Sequence, residues 1–181
     1  MSPTPSTKPR SIEDRLQAIE DRLEIGNLLA SHPPTVDSLT DIFASGTFTA
    51  DGIFEHGMVG SLKVHELGSD AKAGMTAAMR EAAKMGLAHF STPPYIKLGK
   101  NTAVAFSYVS VTVRDPTAES IAVPAHGSGQ GHRLYMTAAN RWDLVRTDGA
   151  WKVSRRKLVT CDGSDAPREL QRGVLEAVLV D

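Results

Sequence analysis

The chain has 181 residues, of which 41% are hydrophobic and 23% are charged, and its net charge at pH 7 is −1. This composition is that of a globular protein and excludes a wholly disordered chain. The balance of 20 basic and 21 acidic residues argues against a nucleic-acid or membrane-surface partner, since both usually require a basic excess.

One cysteine, Cys161, excludes an internal disulfide and a thiolate zinc cluster. No apolar run approaches the length of a membrane span, and the N-terminus lacks the apolar segment of a secretory signal. We therefore expect a cytoplasmic protein. Residues 1–10, rich in Pro, Ser and Thr, are expected to form a disordered tail, and residues 11–181 a single domain.

Helical patterns come first along the chain. Ser11 is expected to cap a first helix, and Pro33-Pro34 to end it. The apolar residues of this helix keep helical spacing and are Ile12, Leu16, Ile19, Leu23 and Leu28. A second short helix is expected to follow, with an apolar stripe of Val36, Leu39, Ile42 and Phe43.

A turn and a short strand are predicted over residues 48–60, and a third helix over residues 69–86. Ser69 or Asp70 is expected to cap that helix, and Gly86 to end it. Strand-like segments rich in β-branched and aromatic residues then occupy residues 89–99, 102–113, 133–146 and 150–160.

The last two of these strands are expected to form a hairpin through the turn Thr147-Asp148-Gly149. Residues 115–131 are rich in Gly, Pro and Ser, which is typical of either a functional lid or a disordered loop. A helix-like stripe closes the chain within residues 167–181. The order of elements predicts an α+β fold, in which N-terminal helices wrap a cone-shaped, curved antiparallel sheet that holds an apolar pocket.

Several motifs can be placed on these predicted helices and strands. His89-Phe90 opens a strand, and Asp37 lies near the start of the second predicted helix. Asn140 lies eight residues before the Asp148-Gly149 turn, which Trp151-Lys152 follows. This arrangement resembles the SnoaL-like, scytalone dehydratase-like branch of the nuclear transport factor 2-like superfamily.

The resemblance covers roughly residues 11–165 and includes departures. Tyr108 stands where the dehydratase branch has a second histidine, Val36 where it has a tyrosine, and Ala138 where it has a serine. Ser31-His32 stands where a broader SnoaL-like pattern has an Arg-Tyr pair. The likeness therefore concerns the scaffold more than the substrate.

Four catalytic residues are expected: the resemblance implies His89, Asp37 and Asn140, and Tyr108 is added because a phenol inside an apolar cavity can donate to a substrate oxygen. His89 would move a proton as general base or acid, and Asp37 would orient its imidazole. Tyr108 and Asn140 would hold a substrate oxygen where negative charge develops. The structural alternatives are a satisfied histidine, a helix N-cap at Asp37, a core aromatic at Tyr108 and a hydrogen bond within the wall at Asn140.

The substrate-binding residues expected around them are Trp142, His32, Phe106 and Phe54. Core packing for Trp142 and a helix C-terminus for His32 are the alternatives. The other histidines, which are expected to be exposed or in loops, are His56, His65, His126 and His132. Residues 154–158 are expected to form a solvated strand face. No ligand spacing or phosphate loop indicates a metal or a cofactor.

The function expected from these residues is that of a cofactor-free lyase, dehydratase or isomerase acting on a small apolar, aromatic substrate. Catabolism of aromatic or lignin-derived compounds, including a formaldehyde-releasing lyase step, rests on fold analogy. The alternatives are a non-catalytic ligand-binding module and the structural small subunit of an aromatic-ring dioxygenase. A homodimer or homotrimer is expected.

Overall fold

The computed structural model describes residues 11–57 and 60–179. The tail expected over residues 1–10 lies outside the described residues, as do residues 58–59 and 180–181. The helices are α1 (Ile12–Ala30), α2 (His32–Asp37), α3 (Ser69–Lys84) and α4 (Ala166–Leu175). The strands are β1 (Phe48–His56), β2 (Gly60–Lys63), β3 (Ala88–Ser91), β4 (Tyr95–Leu98), β5 (Thr102–Arg114), β6 (Ile121–Val123), β7 (Gly127–Gly129), β8 (His132–Thr147) and β9 (Ala150–Thr160).

A curved, unclosed sheet forms the centre of the fold, in the order β2-β1-β9-β8-β5-β3, with β4 also pairing with β5. The predicted α+β class is confirmed. One pair differs from the expected antiparallel pattern, because β1 runs parallel to β9. The segment expected to be a lid or disordered contains the small β6–β7 hairpin, so it has regular structure.

The hairpin between β8 and β9 follows the sequence prediction. Asp148 and Gly149 both have positive φ, 51° and 81°, which is the backbone of a type I′ turn. Thr147 pairs with Ala150 on either side of this turn. A β-bulge between Asp143 and Leu144 then shifts the register of the rest of the pair by one residue.

Two helix boundaries differ from the sequence prediction. Pro33-Pro34 begins α2, because proline is tolerated in the first turn of a helix, where its missing N–H has no intrahelical acceptor. This helix ends at Asp37, and Leu39 has a left-handed φ of 59°, so the predicted apolar stripe does not continue as a helix. Helix α3 forms as predicted, although Gly68 is its N-cap and no side chain caps it.

The core lies between α1 and the sheet. Trp151, Leu144 and Val153 from the β8–β9 hairpin pack with Ile25 and Leu29 of α1. The carboxylate of Asp21 on the same helix is buried and accepts hydrogen bonds from Arg146, Gln17 and the Trp151 indole. Burial raises the pKa of Asp21, but these hydrogen bonds outweigh it and leave the pKa below its usual value.

The predicted apolar stripe of α1 does not face this core. Its four leading residues are solvent-exposed, at 76% for Ile12, 54% for Leu16, 56% for Ile19 and 62% for Leu23. Asp21, Ile25 and Leu29 form the buried face instead. The helix therefore has a buried face and, apart from it, an exposed apolar stripe.

Candidate active site

Asp37 and His89 form a hydrogen-bonded pair at the inner side of the sheet. Asp37 is the last residue of α2, and His89 lies in β3. The Asp37 Oδ1 atom is 2.5 Å from the His89 ring Nδ1, and Oδ2 accepts from the His89 backbone N–H at 2.9 Å. The contact expected between these residues is present. The helix N-cap alternative for Asp37 is wrong, because the residue ends its helix.

This pair defines the tautomer of His89. An ionised carboxylate only accepts hydrogen bonds, so the imidazole proton lies on Nδ1 and Nε2 keeps its lone pair. The side chains of His89 and Asp37 are 23% and 25% exposed, respectively, so the pair is neither fully buried nor at the open surface. Such an imidazole can accept a proton at Nε2 while the carboxylate stabilises the resulting cation.

His89 lines a cavity of about 430 Å³. Helix α3 contributes Met75, Ala78 and Met79 to its lining. Further apolar lining residues come from the sheet and the turn after α2, and they include Phe43, Phe54, Val109, Val111, Met136 and Leu158. A cavity of this size and lining suits a ligand of one or two rings.

Arg156 of β9 also lines this cavity and was missed by the sequence reasoning. The expectation that residues 154–158 form a solvated face is wrong for this residue, which is 5% exposed. Its Nε donates to Asn140 Oδ1 at 2.9 Å, and its Nη1 donates to His32 Nε2. The guanidinium carbon lies 4.4 Å from the centre of the Trp142 ring and 4.6 Å from that of Phe54.

Burial lowers the pKa of the Arg156 guanidinium to about 9, so the group remains a cation at neutral pH. Within residues 11–57 and 60–179, no carboxylate forms an ion pair with it. Stacking on the two aromatic rings supplies part of the compensation.

His32 lines the cavity, as predicted, and is held by this arginine. Since a guanidinium only donates, His32 Nε2 is an acceptor and its proton lies on Nδ1. Burial lowers the pKa of His32 well below its usual value, and the Arg156 charge and His89 lower it further. The imidazole is therefore neutral. Its Nδ1 is buried and has no hydrogen-bond partner in the described part of the chain.

Asn140 and Trp142 lie behind Arg156 and do not line the cavity. Asn140 is 0% exposed, and its Nδ2 has no partner among the described residues. The Trp142 indole donates to Ser107 Oγ at 3.2 Å. The wall hydrogen bond and the core packing considered as alternatives from the sequence are both present.

Tyr108 and Phe106 are not in the cavity, so their expected placement is wrong. Side chains of a strand alternate between faces, and β5 turns Ser107 and Val109 inward, where both are buried and Val109 lines the cavity. The Tyr108 hydroxyl accepts from Gln171 Nε2 of α4 at 2.9 Å, on the outer face of the sheet. Phe106 packs edge-on against Tyr108, with the ring centres 5.0 Å apart.

Phe54 lines the cavity as predicted, whereas the expected exposure of His56 is wrong because His56 also lines it. Burial lowers the pKa of His56, and the Arg156 cation contributes. His65, His126 and His132 are exposed, as expected.

No three potential metal ligands come together within the described segments. None of the helices described has the length and hydropathy of a bilayer span.

The family model of the SnoaL-like domain matches residues 17–157. An NTF2-like protein with a cystatin-like fold from Novosphingobium aromaticivorans is 27% identical, with a TM-score of 0.72 over 88% of this chain and 94% of that chain. A candidate scytalone dehydratase from the same organism is 15% identical, with a TM-score of 0.57 over 83% and 88% of the two chains.

A hexachlorocyclohexane dehydrochlorinase, LinA-type3 from Novosphingobium barchaimii, is 14% identical, with a TM-score of 0.56 over 83% of this chain and 91% of that chain. At these lower identities the two named enzymes show a shared fold. No curated protein matches the sequence.

Proposed function

The chain belongs to the SnoaL-like domain family, and on that basis we propose that it is a cofactor-free lyase of the dehydratase type. Its substrate would be a small apolar, aromatic molecule, and His89 would transfer the proton. The observation that carries the proposal is the Asp37–His89 pair, which leaves an unprotonated Nε2 on a residue that lines the cavity.

The proposed reaction is an elimination. His89 Nε2 takes a proton from carbon, the C–H electron pair forms a double bond, and the leaving group departs with its own bonding pair. Asp37 stabilises the imidazolium formed in this step. If the leaving group is a hydroxyl, the imidazolium returns the proton to it and water is released, so the enzyme ends the cycle in its starting form.

The comparisons support elimination as the reaction class. The candidate scytalone dehydratase and the dehydrochlorinase are named for the loss of water and of hydrogen chloride, respectively. The aromatic nature of the substrate is supported by the apolar lining and by the size of the cavity, about 430 Å³. A place in the catabolism of aromatic compounds, including carbon–carbon cleavage with release of formaldehyde, is compatible with the same proton transfer.

A second candidate function is a non-catalytic ligand-binding module. The position of Tyr108 favours it, because a group expected to stabilise developing charge lies on the outer face of the sheet. The polar residues that line the cavity include His89, Arg156, His32 and His56, and a ligand could be held there without being converted.

A substrate panel separates the two functions. Phenols, hydroxylated bicyclic aromatics and diarylpropanoids are incubated with the protein, and products are followed by mass spectrometry. Turnover by the natural protein that falls by about 10²-fold or more in His89→Ala supports the lyase. Undiminished turnover in His89→Ala contradicts the proton transfer. Saturable binding of panel members with no product favours the binding module.

A further inference from the structure

Arg156 carries a positive charge that no described carboxylate balances. It is 5% exposed, and its two hydrogen-bond partners among the described residues, Asn140 and His32, are uncharged. A buried cation without a counter-charge is costly, since desolvation is not repaid by an ion pair. The electrostatics of this site therefore favour a negatively charged occupant.

The groups around Arg156 offer further donors. The Nδ1–H of His32 and the amide Nδ2 of Asn140 are both buried without an acceptor in the described residues. Both orientations follow from Arg156, which must donate to His32 Nε2 and to Asn140 Oδ1. The cluster thus has an excess of donors as well as of positive charge.

The geometry of the guanidinium indicates where an acceptor would bind. The aromatic rings of Phe54 and Trp142 lie against the group, and Nε and one Nη1 donor are occupied. A guanidinium carries five N–H donors, so the unoccupied ones lie along its edge. Because Arg156 lines the cavity, this edge is available to a ligand there. Two parallel N–H groups match the two oxygens of a carboxylate.

We propose that the cavity binds an aromatic molecule bearing a carboxylate, whose oxygens accept from the edge of the Arg156 guanidinium. The apolar part of the ligand then lies against Phe43, Met79 and Val109. This inference rests on the function proposed for the same cavity and names its substrate class. The carboxylate end is bound at Arg156, and the reacting carbon is presented to His89.

Isothermal titration calorimetry with two ligands of equal shape tests this inference. Naphthalene-2-carboxylate is expected to bind the natural protein about 10- to 100-fold more tightly than the neutral naphthalene-2-carboxamide. In Arg156→Met the carboxylate is expected to bind no more tightly than the carboxamide. Equal affinity of the two ligands for the natural protein overturns the inference, and this comparison does not depend on a variant that folds.

The variant Asp37→Asn, tested beside the natural protein and Arg156→Met, separates this inference from the proposed lyase activity. Asp37→Asn disables the proton transfer and leaves the Arg156 cluster intact, so it is expected to retain the preference for the carboxylate. Loss of that preference in Asp37→Asn contradicts a binding site centred on Arg156. If the natural protein prefers the carboxylate but converts no panel substrate, the carboxylate site is supported and the lyase is contradicted.

The exposed stripe of α1 carries a second, independent inference. Ile12, Leu16, Ile19 and Leu23 are spaced four, three and four residues apart, which is the spacing of the a and d positions of a coiled coil. They lie on the side of the helix opposite the residues that pack into the core, and each is more than half exposed. A stripe of this kind on a soluble surface indicates a partner helix.

The charged residues beside the stripe indicate which partner helix would pair with α1. Arg15 and Arg22 lie along one edge of it at g positions, and Glu13 and Glu20 along the other at e positions. In a parallel pair of such helices Arg15 meets Glu20 of the second copy, whereas an antiparallel pair brings Arg15 toward Arg22. The charge pattern is thus complementary to a parallel copy of itself.

We infer that a second copy of this chain docks in parallel along this stripe. The contact spans Ile12 to Leu23 only, so a dimer with a dissociation constant in the micromolar range is expected. Sedimentation velocity between about 1 and 100 μM is expected to show a monomer–dimer equilibrium. A monomer throughout this range, or a trimer, overturns the inference.

Substitutions test whether the dimer forms through the exposed stripe of α1. Leu16→Glu with Leu23→Glu is expected to abolish the dimer, and the matched control, Leu134→Glu with Val178→Glu at exposed apolar positions elsewhere, to leave it unchanged. Arg15→Glu is expected to weaken association, and Arg15→Glu combined with Glu20→Arg to restore it. Dimerisation that survives the change of Leu16 and Leu23 contradicts docking on α1.

Discussion

Both oxygens of the Asp37 carboxylate contact one residue, His89, through its ring Nδ1 and its backbone N–H. The two contacts hold the ring relative to its own strand, so the direction of the Nε2 lone pair is set before a substrate binds. This arrangement gives Asp37 two separable roles, a positional one and an electrostatic one.

Asp37→Asn separates these roles. The asparagine oxygen can still accept from the His89 backbone, but the charge that stabilises the imidazolium is lost. We expect kcat to fall by about 10²- to 10⁴-fold while KM changes little. Steady-state kinetics with any substrate identified by the panel provides the measurement. Asp165→Asn, an exposed carboxylate at the start of α4, serves as the control. Unchanged kcat in Asp37→Asn would remove Asp37 from the mechanism.

The stability of the protein is expected to depend on His32 in mild acid. Burial lowers the pKa of this imidazole in the folded state, whereas in the unfolded chain the pKa is about 6.5. The unfolded state therefore binds more protons, and the free energy of unfolding falls as the pH drops below about 6.5. Urea unfolding at pH 7.5 and pH 5.0 measures this loss.

His32→Gln is expected to reduce that loss, because glutamine can accept from Arg156 and does not titrate. His126→Gln changes an exposed histidine and provides the control. The lowered pKa values of Asp21 and Asp41 act below this pH window, since both carboxyls titrate in stronger acid. The lowered pKa of His56 acts in the same window as that of His32, so a smaller loss is expected to remain in His32→Gln. A loss of the same size in His32→Gln would assign it to another group.

The buried polar pair of Asn140 and Arg156 provides a thermodynamic test. Asn140→Leu leaves the Arg156 Nε–H without its acceptor in a buried place, so a loss of about 1–3 kcal/mol in the free energy of unfolding is expected. Replacing both residues, as Asn140→Leu with Arg156→Met, removes donor and acceptor together. We expect the double variant to recover much of the loss. Strictly additive losses in the double-mutant cycle would show that the two residues are not coupled.

Filling the cavity is expected to abolish ligand binding with little effect on the fold. Met79 lines the cavity from α3, and Met79→Trp adds a ring where the ligand would lie. Affinity for naphthalene-2-carboxylate is expected to fall at least about tenfold, with a small change in Tm. Met85→Trp, at an exposed position just after the same helix, is the matched control. Equal affinities in the two variants would place the ligand elsewhere.

The hairpin and the dyad show how far sequence reasoning extends in this chain. Asp148-Gly149 specifies a type I′ turn through local backbone preferences alone, so its position could be predicted. The contact between Asp37 and His89 joins residues far apart in sequence, and the family resemblance rather than the residue pattern indicated it.

Arg156 could not be assigned to the cavity in this way. Counted directly from the turn, Trp142 would pair with Arg155, but the bulge between Asp143 and Leu144 shifts the register and pairs Trp142 with Arg156. Arg155 lies outside and pairs with Glu55. A one-residue shift exchanges the two faces of a strand, and no residue near the bulge signals it.

Tyr108 was misplaced for a related reason. The resemblance placed Tyr108 at the position of a second pocket histidine, and Phe106 lies on the same face of the strand. The opposite face of β5 turns inward, with Val109 lining the cavity, whereas α4 gives the aromatic residues a surface to pack on outside. The family resemblance therefore assigned Tyr108 to the wrong face of its strand.

The strands on one side of the cavity are more deeply buried than helix α3 on the other side. The strands beneath it carry fully buried residues, whereas none of the residues of α3 above it is buried. Local opening costs least where few apolar contacts must be broken, so α3 is the segment expected to unfold first in native-state hydrogen exchange. Entry and exit of a ligand can then proceed by transient fraying of α3, on a timescale independent of the strands and of α2, the helix that ends at Asp37.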